Sequence, residues 1–245
     1  MRHHSNRAYK TLGIRYLVGS QPPPLRTPIP LDLYVSTVFP NGRSILIHLT
    51  DERGYEDLDG RAHLAKYRQF IREFERRFSG RPKELVVLDC ACGSGYGSHE
   101  ISMRTRSLVV GVDINSKAVR YASMRYPSEK ITFVNGSGSA LTMLQSSSVS
   151  AVVTIETLEH LYDAGQFLKE IRRILKPDGF LFLTTPDARY NQGQLHSRYH
   201  INEYDLRQLV KMVSSWGFNC RAQSDGDQIT LYAEPANDTI PHQPL

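Results

Sequence analysis

"VLDCACGSGYGS", Val87 to Ser98, runs from an apolar strand straight into a glycine-rich turn. Open α/β sheets hold ligands beyond the carboxyl ends of their strands, so the chemistry of this turn decides what the sheet carries. Gly93, Gly95 and Gly97 let the backbone come close to a ligand. Asp113 closes the next apolar run, "SLVVGVD", where a carboxylate can accept from ribose hydroxyls. A nicotinamide site would show both features, but the spacing here departs from the dinucleotide pattern at its last glycine. Asp89, at the tip of the first strand, can bind a cationic amino group and would repel a pyrophosphate. The expected ligand is a nucleoside with a positively charged amino-acid tail.

Outward from this turn, apolar runs alternate with helical patterns. "ELVVLD" leads to a helix from Gly97, "SLVVGVD" to a helix from Ser116, then come "ITFV", "SAVVTIE", a helix from Asp163 and "GFLFLTTP". Such alternation implies right-handed crossovers and a parallel sheet. A helix near Glu203 to Trp216 follows, and "FNCRAQ" and "QITLYAE" flank Asp225-Gly226 as an antiparallel hairpin. Upstream, the pattern predicts a helix from about Arg61 to Phe78 with Leu64, Tyr67, Ile71, Phe74 and Phe78 on one face. The arginines of this basic run, Arg68, Arg72, Arg76 and Arg77, read as a solvated face rather than a polyanion site.

The remaining segments set the organisation. "SQPPPLRTPIP" makes 1–30 an extended arm, and two β-rich runs around Asn41-Gly42 suggest a hairpin within 31–80, alongside the helix. Residues 81–236 form the core and 237–245 a tail, in a chain of 245 residues. The N-terminal segment is expected to cover part of the site or mediate homo-oligomer contacts. A net charge of +5 permits an anionic partner, but the charges are dispersed, which disfavours nucleic acid. Three cysteines, two of them separated by one residue, make neither a disulfide framework nor a zinc site, so a reducing, cytoplasmic setting is expected. No apolar run reaches the length of a membrane span.

In order along the chain, "LDCACGSGYGS", "VVGVDIN", "ITFVNGSGSAL", "VVTIETLEHL" and "FLKEIRRILKPDGFLFLTTPD" resemble the successive motifs of class I S-adenosylmethionine-dependent methyltransferases. The resemblance covers about Glu52 to Glu234 and implies a Rossmann-like, doubly wound seven-stranded sheet of order 3-2-1-4-5-7-6, its last strand antiparallel. It implies S-adenosylmethionine as cofactor, with Asp89 at the methionine ammonium and Ala91, Gly93 and Gly95 along the methionine and ribose. Asp113 would hold the ribose hydroxyls and Ile114 would pack on adenine. Where the family carries an acidic residue for the adenine amino group, this chain has Gly136-Ser137-Gly138, so Ser137 takes that place beside Gly138. Tyr67 would touch the methionine end from a lid helix, and replacing Gly95 with valine would remove binding while leaving the fold largely intact.

The words "HLAKY", "ETLEH", "TTPD" and "YHINEY" further resemble bacterial methyltransferases of sugar, glycan and natural-product pathways. The expected acceptor is therefore the hydroxyl of a sugar, glycoside, polyol or phenolic compound. Glu156-x-x-Glu159-His160, with His200 forty residues on, offers carboxylates and imidazoles for Mg²⁺ or another divalent ion. The same set, with Glu203 and Tyr204, resembles RNA 3′-terminal 2′-O-methyltransferases, and methylation of RNA, carbon or nitrogen remains an alternative. Without a metal, His160 is the expected general base, with His200 or the loop residue His196 second. Glu156 would also lie beside the cofactor. His160, Glu159 and His200 are the expected catalytic residues.

Overall fold

The computed structural model describes residues 36–38, 44–46, 58–80, 85–190 and 200–236. The proline-rich arm, Glu52-Arg53, His196 and the tail lie outside them. Strands β1 (Ser36–Val38) and β2 (Ser44–Leu46) pair antiparallel, with Thr37 opposite Ile45.

Helix α1 (Leu58–Phe78) precedes the core. The core then runs β3 (Val86–Cys90), α2 (Tyr96–Arg104), β4 (Leu108–Asp113), α3 (Ser116–Arg125), β5 (Ile131–Asn135) and β6 (Val149–Ile155). It continues through α4 (Ala164–Ile174), β7 (Leu175–Pro186), α5 (Leu206–Ser215), β8 (Phe218–Asp225) and β9 (Gln228–Pro235). The seven strands lie in the order β5-β4-β3-β6-β7-β9-β8. β3 to β7 are parallel, and β9 runs antiparallel to both its neighbours. This is the doubly wound, Rossmann-like order expected from the sequence.

The sequence shows why these elements form. Every residue of β3 and β6 is buried, as central parallel strands covered on both faces require. Side chains at the helix entries satisfy otherwise unpaired backbone donors: Asn115 for α3, Asp163 for α4, and a reciprocal Asp205–Gln208 box for α5. β7 starts at Leu175, earlier than "GFLFLTTP" suggested. Leu175 pairs with Val149, and a register shift before Ala151–Phe180 absorbs the Pro177-Asp178-Gly179 stretch that reads as a turn.

α1 buries Tyr67, Ile71, Phe74 and Phe78 as its periodicity predicts, and Phe70 as well. Phe70 contacts Phe180 and Phe182 of β7, so the helix is clamped onto the sheet face. Its outer arginines are largely paired: Arg68 and Arg104 share Glu100, while Arg76 and Arg77 share Glu73. Arg77 also reaches Glu234, and Arg221 reaches Glu73. The basic run thus fastens α1 to its neighbours.

Gly95 opens α2 in a left-handed conformation, φ 84°. A Cβ there would stand 2.6 Å from Ala122 Cβ and 2.8 Å from the Phe133 ring. Gly95 is thus a packing glycine, and the expectation of a folded Gly95→Val variant that merely loses ligand binding gives way. A β-branched residue would add left-handed strain of about 1–2 kcal/mol and overpacking of about 1–3 kcal/mol. Gly95→Val is expected to lose stability on that scale, as a clear fall in denaturation midpoint; an unchanged midpoint would contradict this packing.

Candidate active site

The first strand ends in a buried carboxylate. Asp89 has no exposed surface, and Tyr67 Oη donates to its Oδ1 (3.0 Å) while Ser98 Oγ donates to its Oδ2 (2.6 Å). Burial lifts the Asp89 carboxyl to about 6, against the opposing pull of Ser98 and Tyr67. The same burial, with Asp89 alongside, raises the Tyr67 hydroxyl well above its ordinary value. Tyr67 reaches in over Gly97, where a Cβ would fall 1.9 Å from its ring. Asp89 and Tyr67, expected at the methionine end, are therefore bonded to each other in the core.

The turn itself is braced from the second strand. Asp113 Oδ2 accepts from Gly93 N–H (2.8 Å) and Oδ1 from Asn115 N–H (2.8 Å), leaving further lone pairs for a ligand. Burial raises the Asp113 carboxyl, opposed by these two backbone donors. Gly93 has φ 53°, with none of the described residues within 4 Å of where a Cβ would stand, while Ala91, φ 63°, donates its N–H to Val112 O. Ile114, beside Asp113, is 64% exposed, a large apolar side chain facing out next to a polar carboxylate. Asn135, which the sequence reading missed, donates to the Asp113 and Ile114 carbonyls. Ser137 Oγ accepts from Ser139 N–H, and Gly138 packs under Cys90 and Phe167.

The two glutamates of the fourth motif part company. Glu156, the residue after β6, has φ 49° and pairs with Lys66 (3.1 Å), its Oε1 also accepting from Thr184 Oγ1 (2.9 Å). Glu159 is fully buried in a 3₁₀ turn, Leu158–His160, and Thr185 Oγ1 donates to its Oε2 (2.9 Å). Its Oε1 has no hydrogen-bond partner among the described residues and lies 4.0 Å from His160 Nε2. Burial, and secondarily the charge of Glu156, push the Glu159 carboxyl to about 8.

His200 joins this turn through the backbone, because Ile201 and Asn202 N–H both donate to Glu159 O. Its ring meets His160 edge to face at 5.0 Å, and its Nδ1 pairs with Glu203. Glu159, His160 and His200 each bring one ligand atom within 4.8 Å of the others. Glu156, the fourth expected ligand, is outside this group because Lys66, Thr184 and Gln228 hold it. Lys66, 90 residues away in the chain, leaves no local sequence signal of that pairing.

Residues 88–183 match the family model described as a methyltransferase domain. A probable S-adenosylmethionine-dependent methyltransferase of Mycobacterium tuberculosis is 30% identical over 176 residues, 71% of this chain and 62% of that protein. The chain thus spans under two thirds of that relative. A ubiquinone biosynthesis O-methyltransferase of Pelagibacter ubique is 29% identical over 116 residues, 47% of this chain and 48% of its own. A Pyrococcus horikoshii protein of known structure shares the fold at TM-score 0.60 and 20% identity, covering 75% of this chain and 95% of its own. Residues 88–183 thus match a methyltransferase domain, on a fold that the Pyrococcus horikoshii protein shares.

Asp113→Ala is expected to weaken S-adenosylhomocysteine binding by about 2–3 kcal/mol, the scale of charge-assisted hydrogen bonds plus the loosened turn. Unchanged calorimetric affinity would remove Asp113 from the pocket. Glu159 carries a linkage consequence. A carboxyl whose pKa is raised by folding stabilises the fold fully below its unfolded value of 4.5, and that contribution is lost as pH rises through about 8. The melting temperature should therefore decline between pH 5 and 8, and Glu159→Gln should flatten that decline; equal slopes would contradict the burial of an ionisable Glu159.

Proposed function

We propose that the chain is an S-adenosylmethionine-dependent O-methyltransferase acting on a hydroxyl of a small-molecule acceptor, a sugar, glycoside, polyol or phenolic compound. The observation that carries this reading is the convergence of Glu159, His160 and His200 at the carboxyl end of β6. An alcohol is a poor nucleophile near neutral pH, and an imidazole within reach supplies the base it needs. The O-methyltransferase relative supports oxygen as the acceptor atom.

In this reading Asp113 binds the ribose hydroxyls, Ile114 covers adenine and Gly93 lets the turn approach the ligand. The acceptor hydroxyl gives its proton to His160 as its oxygen attacks the sulfonium methyl. The carbon–sulfur bond breaks and its electron pair stays on sulfur, leaving S-adenosylhomocysteine. His160, whose side chain is 26% exposed, is the base that an acceptor reaches. Glu203 orients His200 by fixing the role of Nδ1, and His200 in turn packs against His160. Holding the oxygen in line with the methyl contributes much of the remaining rate.

Glu159, His160 and His200 also fit a divalent ion, since the unpartnered Glu159 Oε1 and two imidazoles form a donor set. One carboxylate and two imidazoles suit Mn²⁺ or Fe²⁺ better than Mg²⁺, which prefers oxygen ligands. Such an ion would polarise the acceptor hydroxyl when bound.

Methyl transfer from labelled S-adenosylmethionine should be scored on panels of sugars, catechols, amines and short RNA, with and without chelator. The reading expects transfer to a hydroxyl compound, and at least 10²-fold lower turnover in His160→Ala with S-adenosylhomocysteine affinity retained. Transfer confined to amines, carbon acids or RNA would overturn it. Loss of turnover in chelator, restored by Mn²⁺ or Mg²⁺, would establish the ion; full turnover in chelator leaves His160 as an unaided base.

A further inference from the structure

Arg68, Ile71, Arg72 and Glu75 recur along α1 at spacings of three and four residues, so they share one face of the helix. Together with Arg104 of α2 they line a cavity of about 340 Å³. Sites for small ligands run from roughly 300 to 1,000 Å³, so the space suits a compact molecule. Ile71 is the one apolar residue among the described residues of its lining.

The guanidiniums here are arranged to present donors. Arg68 Nε donates to Glu100 Oε1 at 3.0 Å, and Arg104 Nε donates to the same oxygen. One carboxylate therefore holds two cations, and each meets it through Nε alone. Among the described residues, nothing accepts from the terminal nitrogens of either arginine, or from the Arg72 side chain. The Arg68 and Arg104 side chains keep 49% and 51% exposure against 17% for Glu100, so the carboxylate is the buttress and the forks are what a ligand meets. Guanidinium forks match the oxygens of a phosphate with paired, parallel hydrogen bonds. Three positive charges around one cavity also repel one another, and a bound oxyanion relieves that repulsion.

Glu75 sets the limit on this anion. Its carboxylate, three residues beyond Arg72, lines the same cavity and would repel a second phosphate. A nucleic-acid strand, with a charge every few ångströms, meets that repulsion; a single phosphate among the three arginines does not. We propose that the cavity binds one phosphate group, free or at the end of a small monoester, bridging α1 to α2 through Arg68, Arg72 and Arg104. α1 also carries Tyr67 to Asp89 and Phe70 to β7, so an anion that ties it to α2 strengthens the same clamp.

Calorimetric titration at fixed ionic strength, with inorganic phosphate, glucose 6-phosphate and a short single-stranded RNA, tests this site. One phosphate or sugar phosphate is expected to bind per chain, saturably, with a rise in melting temperature that follows occupancy. The tighter of the two identifies the free ion or the ester as the ligand. Arg72→Gln and Arg104→Gln are each expected to weaken it about 5- to 10-fold, the scale of a charge-assisted contact at an exposed site. Glu75→Gln should tighten it about two- to fivefold by removing the like charge, and Arg120→Gln, on the exposed face of α3, should leave it unchanged. Arg72 has no acceptor to strand among the described residues, so Arg72→Gln decides the matter if Arg104→Gln does not fold. Absence of saturable phosphate binding, or unchanged affinity in Arg72→Gln, would overturn the proposal. RNA bound more tightly than either phosphate, and lost in the same variants, would make the groove a nucleic-acid surface and overturn it as well.

Discussion

The site depends on a carboxylate buried at the tip of the central strand. Asp89 sits where β3 gives way to the glycine turn, and an unpartnered charge there would cost several kcal/mol. Two hydroxyl donors reduce that cost, and they come from opposite directions: Ser98 from the helix that follows the turn, Tyr67 from the helix that precedes the sheet. Satisfying one buried group therefore fixes the positions of α1, the turn and α2 together. The Phe70 contacts with β7 add the apolar side of the same clamp.

From that anchor, each strand end receives a separate task. Asp113, at the end of β4, holds the turn through Gly93 and Asn115 and keeps acceptor capacity in reserve. At the end of β6 the two carboxylates are divided by their partners. Glu156, paired with Lys66, keeps to the α1 and β9 side, while Glu159 is buried beside two imidazoles, one oxygen unpartnered among the described residues. Burial and the charge of Glu156 hold the Glu159 carboxyl well above the usual carboxylate range.

The fold was legible because its signals are local. Alternating apolar runs and helical patterns gave the parallel sheet, and Asp113 is conspicuous as a charge ending the apolar run "SLVVGVD". The cluster of Glu159, His160 and His200 could be anticipated from residue types. Partnerships across long sequence separations were not. Nothing near Asp89 announces Tyr67 as its donor, and nothing near Glu156 announces Lys66. Gly95 shows the same limit: its role comes from Ala122 and Phe133, which only the folded chain brings to it.

In the function proposed above, the nucleoside would lie over Gly93 between Asp113 and Ile114, with the reacting sulfur toward His160 and His200. The most direct measurement is a crystal structure of the chain with S-adenosylhomocysteine bound. The account predicts ribose hydroxyls on Asp113, adenine against Ile114, the Tyr67–Asp89 bond intact and the sulfur facing the histidine pair. A ligand whose ribose lies away from Asp113, or whose sulfur faces away from the histidine pair, would contradict it.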